Sequence, residues 1–475
     1  MPTPPATDSL EPSIATETVQ SLRDFLHAAI PNIAAALRER EKTWSDETQW
    51  ERGADGHFRE RKKRVFGLWL LSTDETLRTQ PGYANCVELL NADPVIGPHL
   101  RCLVGTQNGS RRFEIDDILI SMTSAMFDGG GRLIFTDKQF DSEWRIWAEF
   151  FCGREVVWKM VAPLPSLKVP SFPLRLNHDL VLDHLTDDEV SRCWHLGILR
   201  PESPRFPLIY GETAVGIRRT ISLAKILRKE NESHAGANDE SEGNFGNRPI
   251  LRDDLVVDDV LSGLRLCMST DIRTAGHASW ADSPLLGDST TYRVLGQWPY
   301  GGGCNLSDTD VARLLDLWQL LQEEGAARFR FSVHRFNLAF NRGLLDDRLV
   351  DLVIAAEALL LSENKPKDRG ELRFRFSLRA AKFIEHPTYN EYEVFRIMRQ
   401  AYDNRSAIVH GGSSGDTRLP DNNSANLSIF ISTIEELVRL GLCKALAMRA
   451  EGKQLGKSEY WDSLVLSKLV KLRAP

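Results

Sequence analysis

The side chains in this sequence best suited to chemistry are an arginine and a histidine near the end of one predicted helix. Arg405 and His410 close a run of helical pattern, and Gly411 and Gly412 follow directly. Glycine just past the last turn typically ends a helix. A histidine at that position feels the negative end of the helix dipole, which favours its protonated form. Such a residue is suited to giving up and taking a proton near neutral pH.

The periodicity places Arg405 among apolar residues. The positions that share its helix face are Val394, Ile397, Ala401 and Ile408. Because arginine is rarely buried unless it is paired, this face holds a buried acidic partner for Arg405 or is itself an interface or a site.

In an ideal helix, Arg405 and His410 lie about 140° apart around the axis. They do not share a face in a straight helix. For both to contact one ligand, the last turn must loosen at Gly411, or a second copy of the helix must supply the other group.

Composition and charge limit the classes of function. The chain has 475 residues, a length typical of two or three domains, and its 42% hydrophobic and 26% charged residues are typical of a folded soluble protein. The net charge of −7 argues against a general basic coating for nucleic acid but leaves room for a local basic patch. No apolar run reaches the roughly 18 to 20 residues of a membrane span, so we expect no membrane partner.

The cysteines and the N-terminus point to the cytoplasm. The seven cysteines are scattered, and none forms a Cys-x-x-Cys pair. We interpret them as reduced thiols of a cytoplasmic protein, with no disulfide framework, no metal site and no cofactor. The first residues lack the basic start and apolar core of a signal peptide.

Changes in pattern along the chain predict an α+β protein, with a mixed, strand-rich N-terminal region followed by a C-terminal all-α helical bundle. The predicted segments are a disordered N-terminus (1–16), an N-terminal α+β region (17–228), a flexible insertion (229–249), a connecting helix and loops (250–305), the helical bundle (306–450) and a C-terminal tail (451–475).

Short runs rich in branched and aromatic residues predict antiparallel strands in the N-terminal region. These runs are Phe113–Met126, Arg132–Phe135, Trp144–Phe151, Glu155–Val161, Leu174–Leu182 and Ala214–Leu223. Farther along the chain, the pattern predicts one helix in the connecting segment and six in the bundle. These helices are Asp253–Met268, Asp308–Glu324, Ala327–Asn341, Asp346–Leu361, Gly370–Glu385, Asn390–His410 and Ser424–Met448.

Glu357 is the acidic residue best placed to meet Arg405. It lies among apolar residues of the helix predicted over Asp346–Leu361, where a carboxylate needs a cation or hydrogen-bond donors. Two interpretations stay open. The pair is part of a site, or it is an internal ion pair that ties two helices together without catalysis.

A basic segment precedes the motif. Between Lys365 and His410, ten Lys and Arg residues stand against six Asp and Glu, a local excess of positive charge in an acidic chain. Arg375, Arg379 and Lys382 follow helical spacing and predict a basic stripe that could neutralise RNA phosphates. A solvated helix face is the alternative.

Three stretches together resemble a known family. They are Asp346–Leu360 with its Ala-Ala-Glu-Ala-Leu-Leu run, Arg379–Ala381, and Tyr402–Gly411 with its Arg-x-x-x-x-His hexad, a tyrosine three residues before the arginine and a glycine straight after the histidine. In this order they resemble the Apea-like branch of the HEPN domains. The resemblance covers roughly residues 307–450, and the N-terminal 300 residues resemble nothing we can name.

The resemblance implies a helical bundle that forms homodimers, bringing two Arg/His motifs together. Many such domains are metal-independent endoribonucleases of prokaryotic toxin and antiviral defence systems, in which a cognate antitoxin is a candidate partner. By this resemblance His410 is the general acid or base and Arg405 holds the RNA phosphate. The products would carry 2′,3′-cyclic phosphate and 5′-hydroxyl ends, and DNA, which lacks the attacking 2′-hydroxyl, would not be cut. The expected supporting residues are Glu357, Tyr402, Asn404 and Ser406.

In one respect the motif departs from the family. Ser406 takes the place where active members often have Asn, Asp or His, although Ser406 and His410 are spaced so that they can face each other. We therefore keep three hypotheses: an RNA-cleaving effector, a non-catalytic RNA- or nucleotide-binding protein, and a structural pairing module with Glu357 and Arg405 as its internal ion pair.

Overall fold

The computed structural model describes residues 13–38, 44–52, 58–66, 75–106, 109–127, 132–164, 167–199, 215–228, 253–283, 291–294, 304–361, 371–413, 415, 417–420, 426–453, 455 and 457–470. Most of the predicted disordered N-terminus and the whole predicted insertion (229–249) lie outside these residues.

The helices of the described residues are numbered in chain order. They are α1 (Thr16–Arg38), α2 (Tyr83–Ala92), α3 (Ile96–Arg101), α4 (Ile115–Ala125), α5 (Asp137–Cys152), α6 (Asp187–His195), α7 (Asp253–Cys267), α8 (Asp308–Gln322), α9 (Arg330–Ala339), α10 (Leu345–Leu360), α11 (Leu372–Phe383), α12 (Glu391–Val409), α13 (Leu427–Ala450) and α14 (Ser458–Val470). A 3-10 helix, Glu324–Phe329, precedes α9.

The strands are numbered in the same way. They are β1 (Trp44–Arg52), β2 (Phe58–Phe66), β3 (Leu103–Thr106), β4 (Gly109–Arg112), β5 (Glu155–Pro163), β6 (Leu167–Lys168), β7 (Leu174–Arg175), β8 (Leu180–His184), β9 (Val215–Ala224), β10 (Ile226–Arg228), β11 (Gly276–Asp282), β12 (Thr291–Val294) and β13 (Cys304–Asn305).

The largest sheet has six antiparallel strands in the order β12, β11, β5, β9, β8 and β7. Strand β5 pairs with β9 along its whole length and places Trp158 opposite Ile221. On its other side β5 pairs with β11, where Trp158 lies opposite Ala281. An inner strand of the sheet therefore comes from the segment in which we predicted only one helix and loops.

The N-terminal region contains more helix than the sequence predicted. The runs at Glu155–Val161, Leu174–Leu182 and Ala214–Leu223 supply strands, as expected. The runs at Phe113–Met126 and Trp144–Phe151 were predicted as strands, and this was wrong, because they form α4 and α5. Their apolar residues cover one face of a helix and pack in a core with α1. Residues of that core include Leu26, Ile30, Met122, Phe140 and Trp147.

The C-terminal bundle agrees with the sequence prediction to within a few residues at each helix end. Helix α8 begins with a capping box between Ser307 and Asp310, and Asn390 and Glu393 do the same for α12. The predicted helix over Ala327–Asn341 is divided into the 3-10 helix and α9. The protein is therefore a mixed α+β chain that ends in several packed helices.

The bundle and the large sheet share one apolar core. Met160 and Ala162 of β5 and Ile217 of β9 are buried in the same cluster as the C-terminal helices. Asp253, at the start of α7, holds this helix to the sheet: its carboxylate accepts hydrogen bonds from Trp158 Nε1 and Ser279 Oγ. The bundle thus packs against the sheet.

The residues predicted as a C-terminal tail include a helix of the bundle. In α14, Trp461 is fully buried and its indole Nε1 donates a hydrogen bond to the carbonyl of Leu455. Its ring packs edge-on against Phe383 of α11. Among the described residues, no helix combines the length and apolar composition that a membrane span requires.

Candidate functional site

The end of α12 is fixed by backbone hydrogen bonds. Gly411 has φ +83°, in the left-handed region, and its N–H donates to the carbonyl of Ile408. The N–H of Gly412 donates to the carbonyl of Ala407 at 2.8 Å. This is a Schellman motif, which makes His410 the C-cap residue of α12 and Gly411 the left-handed residue after it. The predicted termination at the double glycine is confirmed.

Arg405 lies against α10, where its Nη2 is 3.5 Å from Glu357 Oε2. The contact predicted from the sequence is therefore present. The side chains of Arg405 and Glu357 are 27% and 22% exposed, so the pair is partly open to solvent. Burial raises the pKa of Glu357, and the charge of Arg405 opposes that shift.

This ion pair is looser than others in the same bundle. Asp351, six residues before Glu357 on α10, has a side chain only 3% exposed and contacts both Arg335 and Arg342, the latter at 2.5 Å. A charge-assisted hydrogen bond to a carboxylate typically measures about 2.7–2.9 Å. At 3.5 Å, Glu357 leaves the guanidinium of Arg405 with uncommitted donors, and Arg405 Nε is buried without a hydrogen-bond partner.

The residues predicted to support the motif have different surroundings. The ring of Tyr402 packs against Phe376, and burial followed by the nearby Glu357 charge raises the pKa of Tyr402. Asn404 is buried, and its Oδ1 accepts a hydrogen bond from the N–H of Gly415, which holds the segment after the helix. Ser406 is partly exposed. Glu357 and Tyr402 therefore cluster with Arg405, whereas Asn404 acts on the following loop.

His410 is exposed, and its ring makes no hydrogen bond or ion pair with any residue that the structure describes. Arg405 faces α10, while His410 belongs to the opposite, solvent-facing side of α12. The structure of a single chain thus keeps the two motif residues on different faces, as the helical spacing predicts.

The predicted basic stripe of Arg375, Arg379 and Lys382 is corrected by the structure. Arg379 is only 4% exposed, donates to the carbonyl of Leu360 at 2.8 Å and lies over the ring of Trp461. Lys382 pairs with Glu391 at 2.5 Å. Because this face of α11 packs against α14 and the end of α10, helical spacing did not produce a solvent-facing stripe.

A different basic surface, which we did not predict from the sequence, lies on the outer face of α12. Two adjoining depressions of about 410 and 430 Å³ share Arg373 and Arg399 in their walls. We call them together the arginine groove. Residues that line it include Arg373, Tyr392, Arg396, Arg399, Asp403 and Arg418.

The signal for this groove was present in the sequence of α12. Tyr392, Arg396, Arg399 and Asp403 recur at helical spacing, and continuing the series gives Ser406 and His410. Tyr392 and His410 are 18 residues apart, or about five turns, so they lie on one face of the helix.

Among the described residues, no cluster of three or more His, Cys, Asp or Glu side chains could hold a metal ion. The end of α12 and the arginine groove beside it present an exposed imidazole, a partly exposed guanidinium and four further arginines. These are groups that transfer protons and bind phosphate oxygens.

Comparisons with protein-family models, with curated proteins and with solved structures find no match to this chain.

Proposed function

We propose that this chain is a metal-independent endoribonuclease of the HEPN type, acting as the RNA-cleaving effector of a prokaryotic toxin or antiviral defence system. The observation that carries the proposal is the end of α12, where an exposed His410 follows an Arg405 whose guanidinium keeps uncommitted donors beside Glu357. The stretches Asp346–Leu360, Arg379–Ala381 and Tyr402–Gly411 support this assignment by their resemblance to the Apea-like branch.

In the proposed reaction, the ribose 2′-hydroxyl attacks the adjacent phosphorus and the bond to the 5′-oxygen breaks. His410 either removes the proton from the 2′-hydroxyl while water protonates the leaving 5′-oxygen, or protonates that oxygen while water takes the proton of the 2′-hydroxyl. Arg405 holds the phosphate and stabilises the charge that develops on its oxygens. The products have a 2′,3′-cyclic phosphate and a 5′-hydroxyl.

Because Arg405 and His410 lie on different faces of α12, we place each active site between two copies of the chain. In a twofold dimer, the same surface of both copies forms the interface, so Arg405 of one copy can meet His410 of the other. Val409, next to His410, is 55% exposed and supplies apolar surface that such an interface would cover.

The test is cleavage of an RNA pool that contains single-stranded and transfer RNA, with EDTA present, beside DNA oligonucleotides that match the single-stranded RNAs in sequence. We expect RNA to be cut with cyclic-phosphate ends and DNA to stay intact. Cleavage of the DNA, or products with a 5′-phosphate, would contradict 2′-hydroxyl attack.

A second candidate function is a non-catalytic RNA-binding or dimerisation module with the same bundle. The observation that favours it is the contact between Arg405 and Glu357, since it engages the arginine within one chain. In that case His410→Ala changes RNA affinity alone, whereas in the nuclease it abolishes cleavage and leaves RNA bound.

A further inference from the structure

We propose that the arginine groove is a binding site for single-stranded RNA, which it guides along α12 toward His410. This proposal deepens the proposed function. It rests on that function for the assumption that the ligand is RNA.

The charge of the groove suits a polyanion. Four arginines, Arg373, Arg396, Arg399 and Arg418, line it. The facing carboxylates are Asp403 and Glu371, and Asp403 is engaged with Arg373 at 2.5 Å. Arg396, Arg399 and Arg418 are exposed and form no ion pair with another described residue. The chain as a whole carries −7, so this concentration of free guanidinium groups is local.

Exposed aromatic rings alternate with these arginines. Tyr392 is 68% exposed and lies about one turn from Arg396, whose guanidinium carbon is 6.0 Å from the ring centre. Phe374 is 51% exposed and packs edge-on against Phe395 in the wall of the groove. Proteins that bind unpaired nucleic acid usually combine a positively charged groove that follows the sugar-phosphate backbone with aromatic rings on which the bases stack. In a duplex the bases are already stacked on one another, so the rings favour a single strand.

The groove runs toward the proposed catalytic histidine. Tyr392, Arg396, Arg399, Asp403, Ser406 and His410 share one helix face. At a rise of about 1.5 Å per residue, His410 lies about 16 Å along the axis from Arg399. A strand held by the arginines therefore passes the imidazole after a few nucleotides.

The experiment measures binding of a fluorescein-labelled 12-nucleotide oligouridylate by fluorescence anisotropy. The full chain is used with His410→Ala in every sample, so that no RNA is cut. The test variant is Arg396→Ala/Arg399→Ala. Its matched control is Arg145→Ala/Arg449→Ala, which removes the same charge from exposed sites on α5 and α13.

We expect the groove variant to bind at least about tenfold more weakly and the control to bind like its parent. Each phosphate contact contributes about 0.7 to the slope of log affinity against log salt for single strands, so the slope should fall by about 1.4. Equal affinity and slope in the groove variant and the control would overturn the proposed site.

A second pair of variants tests the base stacking. Tyr392→Ala should weaken binding by about five- to a hundredfold. Tyr292→Ala, which removes a ring that is 56% exposed from strand β12, should have no effect. If inorganic polyphosphate competes as well as oligouridylate and Tyr392→Ala has no effect, the groove binds phosphate alone and the assignment to single-stranded RNA is wrong.

The outcome separates the groove from the nuclease. If wild-type protein cleaves RNA while the groove variant binds it unchanged, the groove assignment fails and the proposed function stands. If RNA binding depends on the groove but wild-type protein cuts no RNA, the groove stands and the nuclease fails.

Discussion

Arg405 of α12 and Glu357 of α10 lie 3.5 Å apart in a partly solvent-exposed pair, whereas His410 extends from the other side of α12. Each chain thus holds Arg405 at the contact between α10 and α12 and presents His410 to solvent. This relationship determines what each substitution at the motif should do.

Removing the arginine should weaken the fold modestly and abolish cleavage. Arg405→Ala leaves the Glu357 carboxylate without its cation, which we expect to lower the free energy of unfolding by about 1–2 kcal/mol. That is less than the loss of about 3–5 kcal/mol for a fully buried pair, because the contact is long and partly solvated. Urea unfolding at pH 7 measures the change.

Asp351 provides the comparison for this prediction. Asp351→Asn removes the charge of a carboxylate that is only 3% exposed and contacts two arginines, so it should destabilise the fold more than Arg405→Ala does. A loss at Arg405 as large as that at Asp351 would show that Arg405 is mainly a structural residue.

The pH dependence of stability should report on Glu357. Its pKa is raised above 4.5 in the folded state, mainly by burial. A raised carboxyl pKa contributes stability at pH values below the unfolded pKa, and this contribution is lost as the pH rises through the folded pKa. Relative to Glu357→Gln, wild-type protein should therefore lose stability as the pH rises from below 4.5 through the raised pKa of Glu357. Urea unfolding of both proteins at several pH values tests this. If the free energy of unfolding of wild type rises relative to that of Glu357→Gln as the pH increases, the prediction is contradicted.

Gly411 should be required for its backbone conformation alone. No atom lies within 4 Å of the position that a Cβ would occupy, yet φ is +83°. Gly411→Ala should lower the free energy of unfolding by about 1–2 kcal/mol. Gly411→Asn should lower it less, since asparagine tolerates the left-handed region better. Gly415→Ala is the control, because its Cβ would make only an ordinary contact with Asn404. Thermal and urea unfolding compare the three variants, and equal stability of all three would contradict the expectation.

Complementation should reveal whether the active site lies between two chains. Arg405→Ala and His410→Ala are each expected to be inactive. When they are mixed and allowed to exchange, half of the dimers contain both variants, and each mixed dimer has one intact site. About a quarter of wild-type cleavage should return. If mixed dimers are isolated through two affinity tags and show no cleavage, the site is not shared in this way.

The long C-terminal helices could be predicted from sequence because their apolar periodicity extends over several turns and their ends carry clear signals, such as Asn390 and Gly411. In α5, the spacing of Phe140, Trp144, Trp147 and Phe151 is also helical. We predicted a strand at Trp144–Phe151 because the run is rich in aromatic residues, and we gave less weight to their helical spacing. That prediction was wrong.

At the candidate site, what could be predicted from the sequence was limited by tertiary packing. The contact between Glu357 and Arg405 could be predicted because a half-buried charge needs an opposite one. Arg379 could not be recognised as buried, since helical spacing does not show which face meets α14. The arginine groove needs Arg373 and Arg418 from outside α12, and their position beside the helix follows only from tertiary packing.

The most direct test compares wild-type protein, His410→Ala and His178→Ala on the same RNA pool with EDTA present. His178 is also exposed and makes no hydrogen bond with another described residue, so it controls for loss of an imidazole. We predict cleavage with cyclic-phosphate ends by wild type and His178→Ala, and none by His410→Ala, with unfolding curves unchanged. Undiminished cleavage by His410→Ala would contradict the assignment of this histidine, and with it the proposed active site.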